Sequence, residues 1–188
     1  MNRFVLVGAL LTGACGSATD DRPATLPYIT QTILAPSCAE AQCHSAFKRQ
    51  VGDQFDTVEA TRLSIVANGL VAFPDDTLDP QASLLITTLT VGTTSILDPS
   101  SSTKIRMPYD APMPDADIEL IKAWIADGAH GAQCVANAQG LGCQNAFEGT
   151  VNVSRVVQCS ADGEAGEVVE TCETGKFCTY YGGNGVCK

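Results

Sequence analysis

Basic residues are scarce in this chain: 11 lysines and arginines stand against 21 aspartates and glutamates, a net charge of −10. Nucleic-acid binding needs a basic face, and adhesion to anionic lipid headgroups needs juxtamembrane lysines and arginines, so the charge balance argues against both. No apolar run reaches the roughly 20 residues that span a bilayer as a helix. Nucleophile elbows, zinc-protease helices and phosphate-cradling glycine loops are absent, as is any repeat period along the chain. Histidine is limited to His44 and His130, and methionine beyond Met1 to Met107 and Met113. Metal or redox chemistry therefore has few side chains to draw on.

What the chain does have begins at its N-terminus. Arg3 precedes an apolar run from Phe4 to Leu11, followed by Thr12-Gly13-Ala14-Cys15. A run this short reads as the hydrophobic part of a secretory signal peptide, residues 1–14. Small residues leading into a cysteine resemble a bacterial lipobox, which implies that Cys15 is lipidated and anchors the chain to a membrane. Ordinary signal cleavage nearby, leaving Cys15 as a thiol, is the alternative; a free exposed thiol in an oxidising compartment is a liability. Gly16 and Ser17 are not the aspartate associated with inner-membrane retention, so the lipobox resemblance implies an outer-membrane lipoprotein facing the periplasm or the cell surface. Residues 15–25 are small and polar and read as a flexible tether.

Nine cysteines divide cleanly. With Cys15 as the anchor, Cys38 and Cys43 form one local pair. Cys134, Cys143, Cys159, Cys172, Cys178 and Cys187 crowd the C-terminal part. In an exported chain that even remainder is a disulfide framework, and six cysteines can pair in fifteen ways among which sequence does not choose.

Apolar periodicity predicts a first helix over 28–34, ended or bent at Pro36, then a helical turn over 38–44. A second helix over 57–69 stops at Asn68-Gly69. A third follows the Asp79-Pro80 loop and carries Leu84, Leu85 and Leu89 inward. Residues 90–105 read as a long loop. The clearest helix runs over 115–127, with Asp115 as N-cap, an apolar face of Ile118, Ile121, Trp124 and Ile125, and Gly128 at its end. Beyond 131, two strand-like runs flank Ser160-Ala-Asp-Gly163, a hairpin signal. That module is too small to bury much apolar area, so its disulfides must supply stability. These patterns predict a helical domain over 26–130 followed by a small disulfide-rich β module over 131–188.

The chemistry concentrates in Cys38-Ala-Glu-Ala-Gln-Cys43-His44. Two cysteines followed without a gap by histidine form the arrangement that holds a haem through two thioether bonds and one axial nitrogen. The usual spacing puts two residues between the cysteines; four here require a bulged loop. A methionine sulfur opposite the histidine would raise the potential of the iron. Met107, held before Pro108, is the first candidate for that position, and Met113 before Pro114 is the alternative.

Ile33-Leu34-Ala-Pro-Ser-Cys38, Cys43-His44, Asp79-Pro80-Gln-Ala-Ser-Leu84-Leu85, Arg106-Met107-Pro108 and Asp117 to Ala129 follow one another in an order that resembles the planctomycete-type cytochrome c family, over Leu26 to Ala129. The resemblance implies a mainly α cytochrome c-like domain with one haem c, in which Cys38 and Cys43 form the thioethers, His44 and Met107 ligate the iron, and the Trp124 helix packs on the first helix. It implies an electron carrier rather than a catalyst; the acidic charge is compatible with a basic redox partner or simply with solubility.

Other readings of the same residues stay open. Cys38 and Cys43 are close enough in sequence to form a disulfide, in which case the chain is a haemless surface lipoprotein whose tail binds a protein or glycan, with Tyr180 and Tyr181 as first contacts. Cys38, Cys43, His44 and a methionine are also soft donors suited to Cu(I). His130, past the last helix, reads as a surface residue. Asp53, Asp56, Asp75 and Asp76 read as solvated loop positions rather than calcium ligands.

Overall fold

The computed structural model describes residues 20–71, 73–74, 83–94, 104–109, 111–148, 151–179 and 185–188. The signal segment, Cys15, the Asp75-Asp76 pair, the Asp79-Pro80 loop, much of the 90–105 loop, and Tyr180 with Tyr181 lie outside them.

The first helical rod joins α1 (Leu26–Ile29), a π turn (Thr30–Leu34) and α2 (Ala35–Cys38) without a break. It starts earlier than the periodicity suggests, because Thr25 caps it by accepting from the Tyr28 N–H at 3.5 Å. It also passes through Pro36. A proline here lacks an N–H and crowds the carbonyl four residues back. The chain relieves this by widening, so that the Ala35 N–H bonds to the Thr30 carbonyl in the i→i+5 pattern. The rod thereby delivers Cys38 at its C-terminus.

Helix α3 (Val58–Ala67) has Thr57 as N-cap, its hydroxyl accepting from the Ala60 N–H at 3.2 Å, and ends at Asn68-Gly69 as expected. In α4 (Leu84–Thr90) the buried residues are Leu85, Ile86 and Leu89. Leu84 is 42% exposed, which corrects its inward assignment: positions 85, 86 and 89 share a face, and 84 falls off it. Helix α5 (Asp115–Ala126) buries Ile118, Leu120, Ile121, Trp124 and Ile125. Pro114 rather than Asp115 holds the N-cap position, and Asp115 and Asp117 lie in the first turn, where the helix dipole favours negative charge. The end of α5 is a Schellman turn: Gly128 takes φ +110° and the Ala129 N–H returns to the Trp124 carbonyl at 2.9 Å. Arg22 donates to Asp117 at 2.5 Å and to the Ala116 carbonyl at 2.9 Å, tying the chain before α1 to the start of α5.

The described strands form two sheets. A short pair joins β2 (Thr93–Thr94) to β3 (Lys104–Ile105). The main sheet has the order β1-β4-β5-β6, where β1 is Phe73–Pro74, β4 is Leu141–Glu148, β5 is Val151–Cys159 and β6 is Ala165–Thr171. The last three strands are antiparallel, and β1 adds in parallel to β4.

The expected mainly α cytochrome c-like domain is therefore corrected. The helices are short, the longest being the 12 residues of α5, and the most extended structure is an antiparallel sheet closed by three disulfides. The apolar periodicity that suggested a helical domain is real, but the helical pieces are short, α3 ending at Asn68-Gly69 and α4 just before Gly92. Strand β4 is also absent from the sequence reading. Leu141-Gly-Cys-Gln-Asn-Ala-Phe-Glu148 has no β-branched residue, so its strand character comes from pairing with β5 and not from propensity.

The hairpin between β5 and β6 turns at Ser160–Glu164, where Gly163 takes φ +91°. Arg62 of α3 reaches this turn and donates to the carbonyls of Gly131 at 2.6 Å, Asp162 at 2.8 Å and Ala161 at 3.3 Å. Disulfides join Cys134 to Cys159, Cys143 to Cys178 and Cys172 to Cys187, so all six C-terminal cysteines pair. They pack on both faces of β5: Val156 sits with Cys143, Cys172 and Cys178, and Val157 with Cys134 and Cys159.

Two outcomes follow from this turn. A Cβ on Gly163 would lie 2.5 Å from the Gly131 carbonyl oxygen and closer still to the Arg62 Nε, at a backbone angle that L-residues avoid. Gly163→Ala should therefore destabilise the chain by about 1–3 kcal/mol or more, read as a lowered urea midpoint. His130 bonds Glu164 at 3.1 Å, and this hydrogen bond and charge raise the imidazole pKa above its usual 6.5. Its stabilising contribution is complete below that value and disappears as pH rises through the raised one. In a proton NMR titration, Glu164→Gln should bring the His130 midpoint down.

Candidate functional site

The segment after α2 shows how four residues fit between Cys38 and Cys43. The Cys43 N–H bonds the Glu40 carbonyl at 2.8 Å, closing a turn, and the His44 N–H returns to the Cys38 carbonyl at 3.1 Å. The bulge is thus taken up by hydrogen-bonded turns. The chain then loops outward and comes back: the Gln50 N–H bonds the Cys43 carbonyl at 3.0 Å, and the Phe55 N–H bonds the His44 carbonyl at 2.8 Å. The rings of His44 and Phe55 lie 5.3 Å apart, tilted by 56°.

Both cysteines of the motif are free thiols, Cys38 buried and Cys43 exposed. Burial pushes the Cys38 thiol up to about 12, with the neighbouring Cys43 adding to the effect. The Nδ1 of His44 is buried without a hydrogen-bond partner. A buried, unpaired ring nitrogen is costly.

Sequence reasoning placed Asp53 and Asp56 in a solvated loop, and for Asp53 this is corrected, because the loop closes back and buries it. Asp53 is 7% exposed and accepts from Asn68 Nδ2 at 2.6 Å. Burial raises its pKa, opposed by the Asn68 hydrogen bond and by the charge of His44. Asp56 accepts from the Ala46 N–H at 3.0 Å and from Gln54 at 2.5 Å. Two non-glycine residues of the connecting loop, Arg49 (φ 48°) and Val51 (φ 54°), occupy the left-handed region, which for a β-branched side chain is strained. Neither neighbour nor strain has a local sequence signal, since both arise when residues 45–54 close back onto the motif.

The two candidate methionines differ. Met113 is 4% exposed and belongs to the same buried cluster as Cys38, together with Phe55, Ile118 and Trp124. Met107 is half-buried and outside that cluster, with its N–H on the Thr88 carbonyl at 2.9 Å. His130 lies on the surface, bonded to Glu164.

Among the described residues, no three histidine, cysteine or acidic side chains come together as a group that could hold a metal ion. The donors present at this turn are two free thiols and an adjacent imidazole whose Nδ1 has no hydrogen-bond partner. No described helix is long and apolar enough to cross a membrane. In comparisons with known proteins, no family model, curated protein or solved structure matches the chain.

The free thiols give a direct test. In protein made without haem attachment, Cys43 should alkylate rapidly at pH 8, whereas buried Cys38 should react roughly a hundredfold more slowly until denaturant is added. Peptide mass mapping reads both rates; a disulfide between the two would leave neither thiol to alkylate before reduction.

Proposed function

We propose that this chain is an exported envelope lipoprotein, anchored through Cys15 at the outer membrane, that carries one covalently bound haem c and passes single electrons to a basic partner protein. Cys38 and Cys43 would hold the haem through thioether bonds, and His44 would ligate its iron. The observation that carries this reading is the combination at one turn: a buried thiol and an exposed one, both free, with the backbone of His44 hydrogen-bonded to Cys38 and a ring nitrogen of that histidine buried and unpaired. The ordered motifs that resemble the planctomycete-type cytochrome c family support the same attachment chemistry.

Bound haem supplies one-electron iron chemistry; the chain's residues bind it, orient it and shield it. Cys38, at the end of a helical rod packed into the core, fixes one side of the site. Phe55 and the buried cluster around Cys38 keep water from that side. A methionine sulfur, Met107 by its place in the motif order or Met113 by its shared cluster with Cys38, would ligate the iron as well and raise its potential. The acidic surface, with its net charge of −10, steers a basic partner toward the protein.

Expressed in a host that attaches haem c, the full chain should show a Soret band and a mass gain of one haem that survives denaturation. The Cys38→Ala/Cys43→Ala double variant should lose both. Replacement of the ligating methionine, tested as Met107→Ala and Met113→Ala, should lower the midpoint potential and admit exogenous ligands. A wild-type chain of unmodified mass from that host would overturn the proposal.

A further inference from the structure

Strand β6 is the outer strand of the main sheet, paired on one side with β5. Every residue from Gly166 to Thr171 is exposed. An edge strand in this state offers a row of backbone donors and acceptors to another chain. The register passes from Val157↔Val168 to Val156↔Glu170, so Val169 is the extra residue of a bulge. Bulges keep such edges from pairing over a long flat run, leaving a short stretch to receive a segment of a few residues.

The side chains of this edge define the segment. Val168 and Val169 are 43% and 56% exposed, giving apolar area beside the backbone row. Glu167 and Glu170 place negative charge along it, and the one lysine just beyond, Lys176, is tied to Glu173 at 3.2 Å. Pairing β6 with a second copy of itself would bring glutamates together, and like charges facing across strands are destabilising. A strand that alternates apolar residues with lysine or arginine meets both features. We propose that β6 is a docking edge for an extended, basic segment of a partner protein, which adds as a further strand: main-chain bonds supply affinity, and the valines and glutamates supply selectivity. This surface is independent of whether haem is attached.

The test uses the full chain and an end-capped, fluorescein-labelled peptide of alternating lysine and valine, read by fluorescence polarisation at low and moderate salt. Binding is expected, weakening with salt. Glu167→Lys/Glu170→Lys, at exposed positions that do not contribute to the core, should lower the affinity by about tenfold or more. A peptide of the same sequence with its alternate amides N-methylated should also bind at least tenfold more weakly, because it cannot complete the ladder; this comparison needs only the wild-type chain. The proposal is overturned if no binding occurs, if the charge reversal leaves the affinity unchanged, if the N-methylated peptide binds equally well, or if sedimentation shows a dimer that Val169→Lys dissociates, which would make a second copy the occupant.

Discussion

The burial of Trp124 sets the terms for the rest of the molecule. Its indole is fully buried on the inner face of α5, among residues of the first helical rod, α3 and α4. A buried indole must find an acceptor for its N–H, and here that acceptor is the His130 carbonyl at 3.0 Å. Satisfying it requires the chain to reverse immediately after the helix, through Gly128 and Ala129. That reversal presents the Gly131 carbonyl to Arg62 and the Gly131 N–H to Glu164, which accepts it at 2.6 Å. One buried aromatic therefore fixes the helical core and, through two hydrogen bonds beyond it, the position of the β5–β6 turn.

The same core positions the motif. Cys38 is buried because the helical rod that carries it packs inward along Leu26, Ile29, Ile33 and Leu34. Everything after Cys38 must leave the core, and it does so through a turn whose backbone bonds are all local. The loop then returns to place Phe55 against His44 and Asp53 in the buried region beside it. Left-handed backbone at Arg49 and Val51 accompanies this return. A loop closed by tertiary contacts tolerates such conformations, whereas an unconstrained segment of the same sequence would relax out of them.

Legibility followed the range of the forces involved. Helix α5 was readable because Ile118, Ile121, Trp124 and Ile125 recur at helical spacing and glycine follows it. The stop of α3 at Asn68-Gly69 was nearly as plain. The first helix was misjudged in length, since proline normally breaks a helix and nothing local announces the π turn that accommodates it. Leu84 was misplaced because three consecutive apolar residues leave the orientation of the face ambiguous until the helix packs. The Cys38-Cys43-His44 motif was visible as a contiguous string; the burial of Asp53 against Asn68 and the contact of Phe55 with His44 were not, being brought about by loop closure. The helical domain expected from the motif order did not materialise, because short motifs constrain local chemistry more tightly than they constrain the packing of the segments between them.

By itself, the sequence determined what is covalent, local or periodic: the acidic charge, the grouping of cysteines, the motif adjacent to His44, and the inward face of α5. Tertiary structure alone decided which cysteines joined, that a strand lacking β-branched residues would pair with β5, that the sheet would carry an open edge at β6, and that a ring nitrogen of His44 would be buried without a partner. The division has a physical reason. Propensity and periodicity act within a few residues, whereas disulfide choice, strand pairing and the burial of a polar atom depend on the free energy of bringing distant segments together, which no single stretch of chain encodes.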